Sequence, residues 1–501
     1  MVMQRTKVAC DACRRRKVRC NGEQKCQQCT HLGLDCRYPR SDPSSRSRSS
    51  TTRGHVVGSL KTERQHQTYE LTPRPSAASV SRSLPSLVDK LHMFGGDMAF
   101  FESLIEDYEE SVFSFIPIIP KAELLQCIRE MGTNRQSCAL AHALAAMTLS
   151  MRPPQDGYET VRSQVIRFAT RALEIRGPIM PHQELNMRNA VVCIAVSACL
   201  LGNNTDHDVA FFYLREAVTC IQILGTEDRQ GMHPLSQSRL QRQRLYWLLF
   251  VHERFAAVSL FRPPILSPLM SLPEADPSVS PGIHLWFTCI IQLFTVLDDT
   301  FVDNWINKHS RLSVDLAWLQ SKQAHLDRCM NLSEHQRQSL TDMQQIDLTA
   351  TDLWLRSLLW KIALSKLLLT NHASADSWSI FFPLRLSHQL QVRITSIPRT
   401  AVEIHGAGIL QKIFDITNTL AEIIIHVPRS SEWTDTNGRI ADFVLLHNYL
   451  HDMSRFSDAE KEILEEKCQK IRVLVTRSHA GRGMRHAHLL SCQSPQLHSH
   501  Q

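Results

Sequence analysis

The sequence predicts a small cysteine-rich module at the N-terminus, a disordered linker, and then a large all-α domain. Three observations lead to this organisation. Six cysteines lie within the first 36 of 501 residues. Residues 41–85 are rich in serine and arginine and poor in large apolar side chains. Between residues 86 and 477 apolar side chains recur at helical spacing, and glycine is scarce, with 18 in the whole chain.

The N-terminal module, residues 1–40, is defined by the spacing of its cysteines. The pattern is C-x2-C-x6-C-x5-C-x2-C-x6-C, and its members are Cys10, Cys13, Cys20, Cys26, Cys29 and Cys36. Each half of the pattern offers three thiolates, whereas a structural zinc ion takes four ligands in a tetrahedron. Six ligands complete two such tetrahedra only when two sulfurs bridge both metals. The spacing therefore predicts a binuclear cluster with two Zn²⁺ ions.

Other uses of six cysteines fit this sequence less well. A disulfide framework needs an oxidising compartment, and residues 1–8 contain no apolar signal core. A metal-storage protein has no need of the interleaved arginines. A zinc site with a histidine ligand is disfavoured because His31 stands at no repeated spacing.

Two short helices are expected in the module, over residues 10–16 and 26–31. Asp11 is placed to cap the first helix, and Gly33 is placed to end the second. Helices of this length bury little apolar surface. Bound metal is therefore expected to supply the free energy that folds the module.

Positive charge is concentrated in the same module. Residues 1–40 contain ten Lys or Arg and three Asp or Glu, a net charge of +7, which is also the net charge of the whole chain. The other 461 residues are therefore neutral overall. Such an excess at one end is typical of a segment that binds nucleic acid. The basic run at residues 14–19 also suits a nuclear-import signal, and the two roles are compatible.

The cysteine spacing and the basic run between the second and third cysteines resemble the Zn2Cys6 DNA-binding module of fungal transcription factors. The resemblance implies that Cys10 and Cys26, the first cysteine of each half, bridge the two zinc ions. The implied terminal ligands are Cys13 and Cys20 at one zinc and Cys29 and Cys36 at the other. The loop before the fourth cysteine, residues 21–25, lacks the proline that this family usually has there.

The same resemblance divides the basic residues by role. Lys17 matches the family's main base-reading lysine and Arg16 its basic neighbour, and the usual target of the family is a CGG triplet in double-stranded DNA. Guanine O6 and N7 are the acceptors that such donors favour. Arg14, Arg15 and Arg19 are expected to contact phosphates, which position a protein on DNA without reading its sequence.

The linker, residues 41–85, shows no coiled-coil pattern. Its large apolar residues, Val57, Leu60 and Leu71, do not recur at three-and-four spacing. Its composition cannot bury enough apolar surface to offset the entropy of ordering, so disorder is expected. Disorder is also expected in the His- and Ser-rich tail, residues 478–501. A homodimer would then form through the helical domain, or the protein would bind DNA as a monomer.

The large region, residues 86–477, is predicted to be all-helical. Leu245, Leu248, Leu249, His252 and Phe255 follow i, i+3, i+4, i+7 and i+10 spacing. A second apolar pattern of helix length runs from residue 353 to residue 368. The most apolar run, residues 191–201, is too short to cross a bilayer, so it is expected to form a buried helix, and no membrane partner is expected.

Four strings in this region resemble the middle homology region of fungal transcription factors. They are FIPII at residues 115–119, RLYWLLFVHER at 244–254, RPPIL at 262–266, and HGAGI at 405–409 with KIFDI at 412–416. They are most similar to the subgroup of maltose, starch and biosynthetic-cluster regulators. The resemblance implies a regulatory domain that restrains activation until an inducer or a partner arrives.

No enzymatic motif is evident in the sequence. It contains no G-x-S-x-G, P-loop or H-E-x-x-H pattern, so the chain is expected not to be an enzyme. Glu253 and Arg254 are adjacent on a predicted helix and are expected to make internal contacts rather than catalyse. The aromatic run at residues 378–382 suits either a ligand pocket or, more commonly, the core. The nine remaining cysteines are expected to be buried thiols, with redox sensing as an alternative.

These observations predict a nuclear, sequence-specific DNA-binding regulator of RNA polymerase II transcription that works with the transcription machinery. The short length and the lack of an acidic segment favour a pathway-specific activator of a secondary-metabolite gene cluster. Regulation of maltose- or starch-type carbohydrate utilisation is the alternative. A different class of function is an interaction scaffold whose zinc module binds DNA weakly or not at all.

Overall fold

The computed structural model describes residues 9–15, 20–31, 35–38, 98–152, 158–180, 185–203, 206–226, 237–307, 310, 312–369, 377–427 and 436–480. Regular structure within these residues is helical, without a β-strand. The predicted fold class is confirmed, with a cysteine cluster at the N-terminus and a large helical region after it. The predicted linker and residues 481–501 of the predicted tail lie outside the described residues, whereas residues 478–480 of that tail form the end of the last helix.

The N-terminal module contains α1 (Asp11–Arg15) and α2 (Gln27–His31). Each helix is slightly shorter than the sequence suggested. Asp11 lies in the first turn of α1 rather than ahead of it. Gly33, the predicted end of α2, lies outside the described residues.

The helical domain adds eighteen α-helices in the described residues. They are α3 (Met98–Ser103), α4 (Ile105–Asp107), α5 (Lys121–Arg129), α6 (Arg135–Met151), α7 (Tyr158–Arg176), α8 (Met187–Gly202), α9 (His207–Leu224), α10 (Gln237–Ser259), α11 (Pro281–Phe294), α12 (Asp299–Ile306), α13 (Leu316–Met330), α14 (Glu334–Gln338), α15 (Asp342–Ser365), α16 (Phe382–Thr395), α17 (Thr400–Glu403), α18 (Ala407–His426), α19 (Thr436–His451) and α20 (Asp458–Ala480). A π-helix, Tyr108–Phe113, follows α4 directly.

Short polar side chains begin several of the long helices. Asn134 caps α6 by accepting hydrogen bonds from two backbone N–H groups of the first turn, and Asp206 caps α9 in the same way. Thr341 and Gln344 form a capping box at the start of α15. Each cap satisfies backbone donors that the helix itself leaves free, which stabilises a helix by about 1 kcal/mol.

The helices of the domain pack in two groups. One group consists of α6, α7, α8 and α9, and the other consists of α15, α16, α18, α19 and α20. Helices α10 and α11 lie between the groups, since α10 contacts α8 and α9 while α11 contacts α15. One continuous apolar core extends through both groups, from Phe101 to Ile471.

The predicted helical patterns correspond to α8, α10 and α15. Helix α8 is buried along most of its length. Helix α15 ends at Ser365, earlier than the apolar pattern suggested, because Leu367 adopts a positive φ of 59°. The backbone N–H of Leu368 then donates to the carbonyl oxygen of Ala363 at 3.0 Å, as at many helix C-termini.

The described residues include no single helix long and apolar enough to cross a membrane. Helices α11 and α12 meet that criterion of length and composition only as a pair, which is bent by 57°.

Candidate functional site

The six N-terminal cysteines converge between α1 and α2. The sulfurs of Cys10, Cys13, Cys20 and Cys26 lie within 4.8 Å of one another, and so do those of Cys10, Cys26, Cys29 and Cys36. Cys10 and Cys26 therefore belong to both groups of four. All six side chains are buried except that of Cys36, which is half-buried.

The separations between sulfurs suit tetrahedral zinc. Cys10 Sγ lies 3.6 Å from Cys26 Sγ and 3.5 Å from Cys29 Sγ, and Cys13 Sγ lies 3.4 Å from Cys26 Sγ. A tetrahedron with Zn–S bonds of about 2.3 Å has edges of about 3.8 Å. A disulfide bond is far shorter, about 2.05 Å, and none of the fourteen cysteines that the structure describes forms one. The donor set fits two zinc ions.

The loop that lacks the family's proline is held by other contacts. Gly22 has a positive φ of 73°, a conformation that glycine adopts without strain because it has no Cβ. Asn21 Oδ1 accepts a hydrogen bond from the backbone N–H of Gln27, the first residue of α2, at 3.2 Å. The Tyr38 hydroxyl donates to the carbonyl oxygen of Glu23 at 2.7 Å. Asn21 and Glu23 are thus held by hydrogen bonds ahead of the fourth cysteine.

The environment of the cluster changes the proton affinity of its thiols. Burial, together with the neighbouring thiols, raises the pKa of Cys13 and of Cys29, and burial raises the pKa of Cys26 to about 11. Burial acts in the same direction on Cys20, but hydrogen bonds from the backbones of Cys10 and Gly22 lower the pKa of Cys20 to about 7. Zinc binds thiolates, so metal binding here must displace protons from the buried thiols.

The basic run is described only in part. Arg14 and Arg15 form the end of α1, and the positions of their side chains are not described. Arg16, Lys17 and Arg19 lie outside the described residues. The DNA contacts predicted for these five side chains therefore stay predictions.

In the helical domain, the strings singled out in the sequence contact one another. Arg244 on α10 is fully buried, pairs with the buried Asp276, and donates from Nε to the carbonyl oxygen of Pro117 at 2.6 Å. The ring of His405 packs edge-on against Phe115, with centroids 4.5 Å apart. The segment at residues 115–119 is thereby attached both to α10 and to the turn before α18.

Glu253 and Arg254 hold the chain that follows α10. Glu253 is buried, pairs with Arg215 of α9, and accepts a hydrogen bond from the backbone N–H of Leu266 at 2.7 Å. Arg254 donates to the carbonyl oxygen of the same leucine at 2.9 Å. These two charged side chains are engaged in fixing the string at residues 262–266, a structural role that agrees with the internal contacts expected from the sequence.

Sequence reasoning missed a cavity of about 240 Å³ at the point where these strings meet. The aromatic run considered as a pocket wall is instead core, since Trp378 and Phe382 are buried and do not line this cavity.

Eight of the nine cysteines outside the cluster are buried, as expected, and Cys492 lies outside the described residues.

Comparison with known proteins points to one family. Residues 8–45 match the fungal Zn(2)-Cys(6) binuclear cluster domain, which binds two zinc ions. Maltose fermentation regulatory protein MAL13 of Saccharomyces cerevisiae is 22% identical over 463 residues, which cover 90% of this chain and 92% of that protein. MAL63 of the same species, with the same description, is 22% identical over 462 residues, 90% of this chain and 89% of that protein.

A third relative matches over a short segment. Transcription factor PDR1 of Candida glabrata is 57% identical over 37 residues, which cover 7% of this chain and 3% of that protein. The three relatives are described as transcription factors or regulatory proteins, not as enzymes.

Proposed function

We propose that this chain, which carries the Zn2Cys6 domain of fungal transcription factors, is a sequence-specific DNA-binding regulator of RNA polymerase II transcription. The observation that carries the proposal is the arrangement of the six cysteines. Two groups of four sulfurs share Cys10 and Cys26, as two zinc ions with two bridging ligands require. The basic run begins in α1, directly after the ligand Cys13.

In the proposed cluster, Cys10 and Cys26 bridge the metals. Cys13 and Cys20 complete one zinc site, and Cys29 with Cys36 completes the other. The basic run at residues 14–19 then lies between two ligands of the same zinc. A segment tied to one metal at both ends has little freedom, so its side chains meet DNA in a fixed arrangement.

Within that run, we assign Lys17 and Arg16 to base edges and Arg14, Arg15 and Arg19 to phosphates. Lysine and arginine donors match guanine O6 and N7 in the major groove, which supports a CGG triplet as the target. Phosphate contacts add affinity that depends on salt but not on sequence. The site of action is the nucleus, and residues 86–477 form the regulatory domain that communicates with the transcription machinery and, in a homodimer, with a second copy.

For the pathway, the relatives that span most of the chain favour genes of carbohydrate utilisation. Both MAL13 and MAL63 are described as regulators of maltose fermentation. A secondary-metabolite gene cluster, which the chain length and the lack of an acidic segment suggested, is the second candidate. The apolar lining of the cavity in the helical domain favours it, because sugars need many polar partners.

The test is selection from random duplex DNA with the zinc-loaded full chain, sequenced after several rounds. We expect enrichment of CGG triplets, and their spacing and orientation will distinguish a monomer from a dimer. The matched control is Cys26→Ala, which should enrich nothing. A wild-type sample that holds two zinc ions per chain and still enriches no sequence would contradict DNA reading and favour the interaction scaffold.

A further inference from the structure

The cavity of about 240 Å³ lies between the two helix groups of the helical domain. Its walls come from α6, α8, α10, α11, α15 and α18 and from residues 115–116 and 404–406. Ile116, Met151 and Ile404 are half-buried wall residues, so the cavity is not sealed from solvent. Three of the four strings that the sequence singled out contribute to these walls.

Most of the lining is apolar, and much of it is aromatic. Phe115, Phe255, Trp286, Phe287 and Phe294 all line the cavity. The rings of Phe115 and Trp286 meet edge to face, with centroids 4.9 Å apart and an interplanar angle of 89°. Packed rings of this kind keep their positions, which makes the walls suited to a flat apolar molecule.

Part of the lining is polar and consists of charged and imidazole groups. Lys412 Nζ donates to Asp347 Oδ1 at 3.1 Å and to Thr351 Oγ1 at 2.6 Å. An ammonium group has three N–H donors, and the third has no hydrogen-bond acceptor among the residues that the structure describes, although Nζ lies 5.9 Å from the centroid of the Phe294 ring. The side chains of Lys412 and Asp347 are about nine-tenths buried, with exposures of 8% and 11%.

His252 supplies an acceptor in the same lining. Its Nδ1 lies 2.9 Å from the carbonyl oxygen of Leu248, which can only accept, so Nδ1 carries the proton. Burial, and the nearby Lys412, lower the pKa of His252, which keeps the ring neutral. Nε2 is then an acceptor, and it has no hydrogen-bond partner in the described part of the chain.

We propose that this cavity binds a small, flat, mostly apolar molecule with one hydroxyl group, such as a hydroxylated bicyclic aromatic compound. The hydroxyl donates to His252 Nε2 and accepts from Lys412 Nζ, while the rings of the cavity cover the apolar faces. An apolar cavity of about 150 Å³ binds benzene, so this one holds about ten non-hydrogen atoms by the same proportion. A disaccharide, with about 23 such atoms and many hydroxyls, exceeds both the volume and the number of polar partners.

This binding goes beyond DNA recognition and does not depend on it. A molecule seated between the two helix groups contacts α8 on one side and α18 on the other, and so favours one arrangement of the two groups over others. The inferred ligand is therefore a regulator of the helical domain.

The experiment is isothermal titration calorimetry of the zinc-loaded full chain with 1-naphthol, naphthalene, glucose and maltose. We expect 1-naphthol to bind at one site per chain, and naphthalene to bind there about threefold to tenfold more weakly because it lacks the hydroxyl. Neither sugar should bind.

Two variants locate the site. His252→Phe removes one of the two hydrogen bonds of the hydroxyl, so it should weaken 1-naphthol binding toward that of naphthalene and leave naphthalene binding unchanged. Ala198→Leu fills part of the cavity and should weaken both compounds. His388→Phe, at an exposed histidine outside the cavity, is the matched control and should change neither. Circular dichroism checks that each variant is folded, and His252→Phe still tests the site if Ala198→Leu is not.

Three results would overturn the inference. They are no binding of 1-naphthol, binding that is unchanged in His252→Phe, and binding of glucose or maltose in the cavity. DNA selection with the same sample tests the proposed function independently of ligand binding in the cavity. A chain that selects CGG triplets but binds no 1-naphthol keeps its role as a regulator and loses this site.

Discussion

The zinc module and the helical domain differ in what holds them together. The module has two helices of five residues each, and its buried cluster consists of cysteines. The helical domain has one continuous apolar core that spans both of its helix groups. Apolar burial stabilises by about 25 cal/mol per Å², so the domain can fold by packing alone, whereas the module must obtain its stability from metal. Each region should therefore unfold under a treatment that leaves the other region folded.

The largest expected effect follows from loss of a sulfur that belongs to both groups. Cys26→Ala removes a ligand from both proposed zinc sites, so we expect loss of both zinc ions and of detectable DNA binding. The helical signal in circular dichroism should remain. Zinc content by atomic absorption and DNA binding by mobility shift measure the two outcomes.

The matched control for this variant is Cys289→Ala, at a buried thiol of α11. It should keep two zinc ions and normal DNA binding. Two zinc ions retained in Cys26→Ala would rule out the bridging role of that cysteine.

The next effect is destabilisation of the helical domain, with no change in the zinc module. Arg244→Met removes one partner of a buried ion pair and leaves Asp276 uncompensated, which should lower the free energy of unfolding by about 3–5 kcal/mol. Urea unfolding followed by circular dichroism measures this change, and zinc content should not change.

Arg262→Met is the control for burial, because its ion pair with Asp208 is exposed. Such surface pairs contribute about 0–1 kcal/mol. Equal destabilisation by the two variants would mean that burial of the Arg244 pair has no energetic consequence.

A smaller effect divides the basic run. Lys17→Ala should reduce the preference for the cognate triplet by about 1–3 kcal/mol, whereas Arg14→Ala should weaken cognate and random duplexes alike and reduce the salt dependence. Fluorescence anisotropy with both duplexes at several salt concentrations separates the two. Loss of sequence preference in both variants would contradict the assignment of Arg14 to a phosphate.

The smallest effect is a pH dependence confined to the helical domain. His142 in α6 is buried and its Nδ1 donates to the carbonyl oxygen of Cys138 at 2.8 Å. Burial lowers the pKa of this ring, so below about pH 6.5 the unfolded chain binds a proton that the folded chain does not. Stability from the neutral ring is complete above that pH and falls as the pH drops.

His142→Phe should reduce the loss of stability between pH 7 and pH 5, measured by urea unfolding at each pH. An unchanged pH dependence in His142→Phe would show that this ring does not contribute.

What the sequence predicts well is local. The zinc cluster is readable because its six ligands lie within 27 residues at a repeated spacing. Helices such as α8 and α10 are readable because apolar periodicity reports which face is buried. The early end of α15 could not be predicted from the sequence. Leucine rarely adopts a positive φ such as that of Leu367, and this conformation leaves no signal in the apolar pattern.

The cavity was beyond sequence reasoning for a different reason. Its polar partners, His252 and Lys412, are separated by 160 positions, and its aromatic wall comes from α10, from α11 and from residue 115. Their meeting depends on how the two helix groups pack. The aromatic run at residues 378–382 had the composition of a pocket wall, but the fold places it in the core.

In the proposed cluster the basic run is a short segment between two cysteines that bind the same zinc ion. Zinc binding then offsets the loss of conformational entropy on ordering that segment before any DNA is bound. At low zinc concentration the same number of chains would be present, each with a folded helical domain but without a folded zinc module. The availability of zinc would then set the number of chains that can bind DNA, without any change in the amount of protein synthesised.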